Sequence, residues 1–104
     1  MATQHKLTVS SRQAPTVEFD PAIGAVYIRF KRATVARTYD RSTPALTLTV
    51  DVDARGDVLG IEAIGCNEVV INQLLTKAKV QAPHSPLERA RFRATPQHAE
   101  AVAA

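Results

Sequence analysis

A two-residue hydrophobic rhythm running from Thr16 to Ala63 constrains the fold of this chain more than any other feature. Val17 and Phe19 alternate with Thr16, Glu18 and Asp20. Val26, Ile28 and Phe30 alternate with Tyr27, Arg29 and Lys31. Leu46, Leu48, Val50 and Val52 alternate with Thr47, Thr49 and Asp51. Successive side chains of a strand point to opposite faces, so each run predicts a strand with one buried side. Val58 to Ala63 predicts another strand, with Leu59 and Ile61 facing inward. Val35 to Tyr39 predicts a shorter one whose facing the pattern leaves open. Asp20-Pro21-Ala22-Ile23-Gly24 and Asp53-Ala54-Arg55-Gly56 carry turn chemistry: the Asp side chain bonds its own turn, and Gly accepts positive φ.

After Gly65 the rhythm becomes helical. Ile71, Leu74, Leu75 and Ala78 form one apolar stripe, with Asn67 as N-cap and Glu68 suited to the positive end of the helix dipole. The β-branched run Val69-Val70-Ile71 keeps a strand extension open as an alternative. Ser85-Pro86-Leu87-Glu88 has the form of a capping box and predicts a short basic helix over Pro86 to Ala94. Thr95-Pro96 suggests a further turn. The fold class expected is α+β, an antiparallel β-meander of four to five strands with a C-terminal helix packed on one face. Three regions are expected: a flexible N-terminal arm, 1–15, in which Lys6 to Ser10 is a candidate edge strand; a sheet-plus-helix domain, 16–80; and a partly disordered C-terminal helical extension, 81–104.

Bulk properties narrow the function classes. A chain of 104 residues supports one modest core. The net charge of +3 and isoelectric point near 9.4 are mildly basic, short of a nucleic-acid-binding tail. A single cysteine, Cys66, rules out an intramolecular disulfide and a multi-thiolate zinc site. No run approaches the roughly 20 apolar residues of a membrane span. The opening Met1 to Val9 has no signal-peptide character. The expected location is cytoplasmic, with no membrane partner.

Two segments resemble a known bacterial family. Phe19-Asp20-Pro21-Ala22-Ile23-Gly24-Ala25-Val26-Tyr27-Ile28-Arg29-Phe30 is similar to the opening of domain-of-unknown-function family 2283, an aromatic-Asp turn followed by an apolar-Tyr-Ile strand. Asp51 to Glu62, with Asp51, Asp53, Gly56, Asp57 and the run Gly60-Ile61-Glu62, resembles that family's Asp-rich turn and Gly-Ile-Glu strand. The resemblance covers about residues 17–64. It implies a small sheet domain without an established activity. The placement of some members beside small RNase-type toxins implies an antitoxin-like role, in which a partner protein is neutralised. No residue here receives a role from the motif.

The residues themselves offer few catalytic constellations. Asp51-x-Asp53-x-Arg55-Gly56 with Glu62 partly fits a calcium loop, which makes Asp51, Asp53 and Glu62 weak metal candidates. Arg55 stands where a ligand oxygen belongs, and the flanks have strand rather than helix period, so a hairpin turn is the preferred reading. Asp51, Asp53, Asp57 and Glu62 as acid/base groups show no partner that would shift their pKa values. Cys66 reads as a half-buried thiol. His5, His84 and His98 are scattered. No cofactor, catalytic residue or enzymatic activity is expected.

The basic residues are more informative. Tyr27, Arg29, Lys31, Arg32, Arg37, Tyr39 and Arg41 are expected to gather around one hairpin, with both tyrosines on its outer face. Such a face serves as a solvated surface, an RNA platform or a protein-docking patch. Arg89, Arg91 and Arg93 add a second basic group, spread around the predicted helix. The leading functional reading is a protein-binding or regulatory module, with an antitoxin-like role as one form of it, that also allows a homodimer. The first alternative is a nucleic-acid-binding module using the Arg/Tyr face. The second is a metal-binding or hydrolytic domain using Asp51 to Glu62.

Overall fold

The computed structural model describes residues 7–65 and 71–94. The chain forms β1 (Leu7–Thr8), β2 (Thr16–Asp20), β3 (Ala25–Arg29), β4 (Arg37–Asp40), β5 (Thr47–Val52) and β6 (Val58–Ile64). These are followed by α1 (Ile71–Ala78), β7 (Val80–Gln81), α2 (His84–Leu87) and β8 (Arg91–Ala94). Strands β4-β5-β6-β3-β2 build a five-stranded antiparallel sheet, and β8 joins it by parallel pairing with β2. With α1 packed on one face, this is the expected α+β class.

The alternation in the sequence sorts the two faces. Val17, Val26, Ile28, Leu48, Val50, Ile61 and Ala63 are buried in one cluster with Leu74, Leu75 and Ala78 of α1. Each fully buried Val, Ile or Leu contributes about 1.5–3 kcal/mol, so this layer drives folding. The opposite face carries no helix among the described residues. By register it presents Thr16, Glu18 and Asp20, then Tyr27 and Arg29, then Glu62, Thr49 and Asp51, then Thr38 and Asp40.

The turns form as their residues dictate. Asp20 Oδ1 accepts the Ala22 N–H at 3.0 Å, and Gly24 takes φ 63°. Between β5 and β6 the Gly56 N–H bonds the Asp53 carbonyl at 3.0 Å, with Gly56 at φ 89°. Asp53 Oδ1 also accepts the N–H groups of Arg55 and Asp57, at 2.9 and 3.0 Å.

Several expectations need correction. The chain does not turn from β3 directly into a neighbouring strand. Residues 30–36 carry it past β6 and β5, so β4 lies at the far edge of the sheet. In β6 the register slips between Asp51 and Val52 of the partner strand, leaving Leu59 as the extra residue. That bulge brings Val58, rather than Leu59, into the core cluster with Ile61; Leu59 is buried outside it. The predicted helix over Pro86 to Ala94 ends at Leu87, and Arg91–Ala94 forms β8 instead. Its alternating Arg-Phe-Arg-Ala is itself a strand pattern, and the Arg91 N–H bonds the Pro15 carbonyl at 2.9 Å. The described part of the expected flexible arm is packed: β1 pairs in parallel with β7, and Val9 and Pro15 are buried. Lys6, Cys66, Asn67, Glu68, Val69, Val70 and residues 95–104 lie outside the described residues.

Candidate protein interface

The seven basic and aromatic residues singled out by the sequence do not form one patch. Tyr27 and Arg29 lie on the open face of β3. Tyr39 pairs with Val50 and Arg37 with Val52, which places both on the helix-covered side of β4. The two tyrosines therefore occupy opposite faces of the sheet, separated laterally by β5 and β6.

On the open face Tyr27 acts as a strut. Its ring lies over Gly60, where any Cβ would collide with the phenol. Its hydroxyl donates to Asp51 Oδ2 at 3.0 Å, and Asp51 Oδ1 accepts from Thr38 Oγ1 at 2.6 Å. This chain of contacts ties β3, β6, β5 and β4 together. Burial, reinforced by the Asp51 carboxylate, pushes the Tyr27 phenol well above its ordinary pKa. Arg29 stacks on Tyr27 with its guanidinium carbon 4.9 Å from the ring centre, and pairs with Glu18 at 3.7 Å.

Lys31 and Arg41 are also engaged within the molecule. Lys31 Nζ reaches Asp53 at 2.8 Å and Asp57 at 3.3 Å, bracing the β5–β6 turn. The hydrogen bond to Asp53 leads in raising the Lys31 pKa, and the bond from Lys31 leads in lowering that of Asp53. Arg41 Nε donates to the Ala78 carbonyl at 3.2 Å, at the negative end of α1. Tyr39 sits between Arg37 and Arg41, whose guanidinium carbons are 5.9 and 5.5 Å from its ring centre. Arg32 is exposed in the 30–36 connection.

The weak metal candidates do not converge. Asp51 is held by Tyr27 and Thr38, Asp53 by Lys31 and the turn backbone, and Glu62 is exposed on the open face. Among the described residues no three His, Cys, Asp or Glu side chains are grouped to hold a metal ion. No described helix is long and apolar enough to cross a membrane.

The remaining feature is the edge of β4. The Arg41 N–H bonds the Leu48 carbonyl at 2.7 Å. In this antiparallel register that turns the odd-numbered residues toward β5 and points the N–H and C=O of Thr38 and Asp40 away from the sheet. No described strand pairs beyond them. Residues 32–38 are all exposed, including Val35 at 49%. At the start of β4 a surface pocket of about 320 Å³ is lined by Arg37, Tyr39, Val52, Asp53, Arg55 and Gly56, among others. Sequence reasoning missed Arg55 as part of this site, having met it only as a misfit in a calcium loop. Pairing β4 with the strand that leads into the Asp53–Gly56 turn is what brings it to Arg37.

Compared with protein-family models, curated proteins and solved structures, the chain matches none.

Proposed function

We propose that this chain is a protein-binding module that takes an extended segment of an acidic partner as an added strand along β4. The observation that carries this reading is the β4 edge, which no described strand pairs, with exposed Arg37 at its start. An edge with free donors and acceptors is a template for strand addition, where backbone bonds supply affinity and side-chain sites supply specificity. Charge favours an acidic partner: Arg37 and Arg55 border the edge, and the chain carries +3 overall. The likeness to family 2283 extends the reading to an antitoxin-like role, in which the bound partner is held inactive.

A nucleic-acid platform fits the surface less well. The open face presents Glu18, Asp20, Asp40, Asp51 and Glu62 across its antiparallel strands, against Arg29. Even with Arg91 of β8 added at the margin, carboxylates outnumber cations among the described residues there, and phosphate backbones are repelled.

Thr38→Pro tests the reading because it removes an outward N–H at a position where an edge strand tolerates proline. Thr38→Ala is the control, since it loses the same hydroxyl bond to Asp51 and keeps the N–H. A stoichiometric partner retained by wild type and Thr38→Ala but lost by Thr38→Pro supports docking at β4. RNA retardation that fades with rising salt, without such a partner, overturns it. So does a dimer in sedimentation that Thr38→Pro dissolves, since that makes a second copy the occupant.

A further inference from the structure

We infer that the pocket formed by Arg37, Tyr39 and Arg55 receives a carboxylate side chain of the docked strand and fixes that strand's register. The inference rests on the docking reading above and adds the chemistry that the partner must carry. Arg37 enters the pocket from β4 and Arg55 from the β5–β6 turn, and both are exposed at their own residues. The acidic group in the lining, Asp53, is already matched by Lys31 Nζ at 2.8 Å. Two arginines, whose side chains carry fork-like donors, therefore line a pocket whose own carboxylate is compensated. Arginine recognises carboxylates through paired, charge-assisted hydrogen bonds. A singly charged carboxylate suits this balance better than a dianionic phosphate, which Asp53 would repel more strongly.

Strand geometry then specifies a motif. Arg37 and Tyr39 are two residues apart and share one face of β4, as their pairing with Val52 and Val50 requires. On an added strand, the residues opposite them are likewise two apart and share that face. The residue opposite Arg37 carries the carboxylate, and the residue opposite Tyr39 is apolar or aromatic. An antiparallel partner reads apolar-x-acid from N to C, and a parallel partner reads acid-x-apolar. The pocket thus converts a sequence-blind edge into a selective one.

Selection from a random peptide library displayed on phage, against the full-length chain, tests this. The expected outcome is enrichment of Asp or Glu two residues from an apolar side chain. Synthetic copies with that acid replaced by its amide are expected to bind at least about tenfold more weakly. Arg37→Ala and Arg55→Ala, both at exposed positions, are expected to erase that difference while preserving the amide NMR spectrum of the fold. Selected peptides that shift the Thr38 and Asp40 amides with no acid-over-amide preference overturn the pocket and leave the docking reading standing. A phosphoserine copy that binds more tightly than the Glu copy overturns the carboxylate assignment. Failure to select any peptide, or peptides that leave the Thr38 and Asp40 amides unmoved, overturns the docking reading and the pocket with it.

Discussion

Tyr27 sits over Gly60 because a strand glycine leaves room for a neighbouring ring, and that room lets the phenol reach Asp51. Adding a methyl at Gly60 must move the ring and break the bond at once. Gly60→Ala is expected to destabilise the chain by about 1–3 kcal/mol, the usual cost of overpacking. Tyr27→Phe, which removes only the hydroxyl, is expected to cost about 1 kcal/mol. In a Tyr27→Ala background the Gly60→Ala change is expected to cost little, and chemical denaturation of the four proteins in this cycle measures the coupling. The same environment holds the proton on Tyr27. In a Tyr39→Phe protein, where Tyr27 is the remaining tyrosine, tyrosinate absorbance is expected to rise well above the ordinary value near pH 10. A midpoint close to 10 would contradict the buried phenol.

At the scale of elements, α1 ends on a residue in a left-handed conformation that is not glycine. Lys79 has φ 57°, and its N–H bonds the Thr76 carbonyl at 3.2 Å as the chain turns into β7. A side chain at such a position costs on the order of 1 kcal/mol, which glycine avoids. Lys79→Gly is therefore expected to raise the denaturation midpoint, by an amount equivalent to about 0.5–1 kcal/mol, while Lys79→Val lowers it. The helix stripe and the core-facing residues of β2, β3 and β5 were legible in the sequence because burial on one face writes a period into the chain. The order of strands was not, because periodicity reports which way a side chain faces and not which strand lies beside it. Tyr27 and Tyr39 therefore looked like neighbours when the 30–36 connection in fact sends β4 to the far edge. The Leu59 bulge was invisible for a related reason, since one extra residue inverts facing without changing composition. Arg91-Phe92-Arg93-Ala94 carried a strand rhythm, but the capping signal of Ser85-Pro86-Leu87-Glu88 just before it pointed to a helix. Pairing with β2, a contact distant in sequence, decides the outcome.

For the whole molecule, the ion cluster that braces the β5–β6 turn sets a pH window for stability. Asp53 has a lowered pKa, caused first by the bond from Lys31, and Asp40 is lowered by its bonds from Ser42. A depressed carboxylate stabilises the folded state above its unfolded pKa, near 3.9, and that contribution is lost as pH falls through the lower folded value. Lys31 and Tyr27 are raised, so their contributions are complete below their unfolded values, near 10.4 and 10, and are lost as pH rises through the folded ones. Thermal midpoints are therefore expected to be level across the neutral range and to fall on both sides. Lys31→Met tests both limbs. Without the ammonium, the leading cause of the Asp53 depression is gone, so the acid limb is expected to shrink toward the share due to Asp40 and the alkaline limb to keep only the share due to Tyr27. The same geometry bears on calcium. Oδ1 of Asp53 accepts two backbone N–H groups and Oδ2 holds Lys31, so a calcium ion would have to displace an ammonium at 2.8 Å and find further oxygens. Millimolar calcium is expected to leave the melting temperature of the wild-type chain unchanged. A rise of several degrees would mean that the turn opens to gather ligands, and Lys31 would then be a competitor for the site rather than its brace.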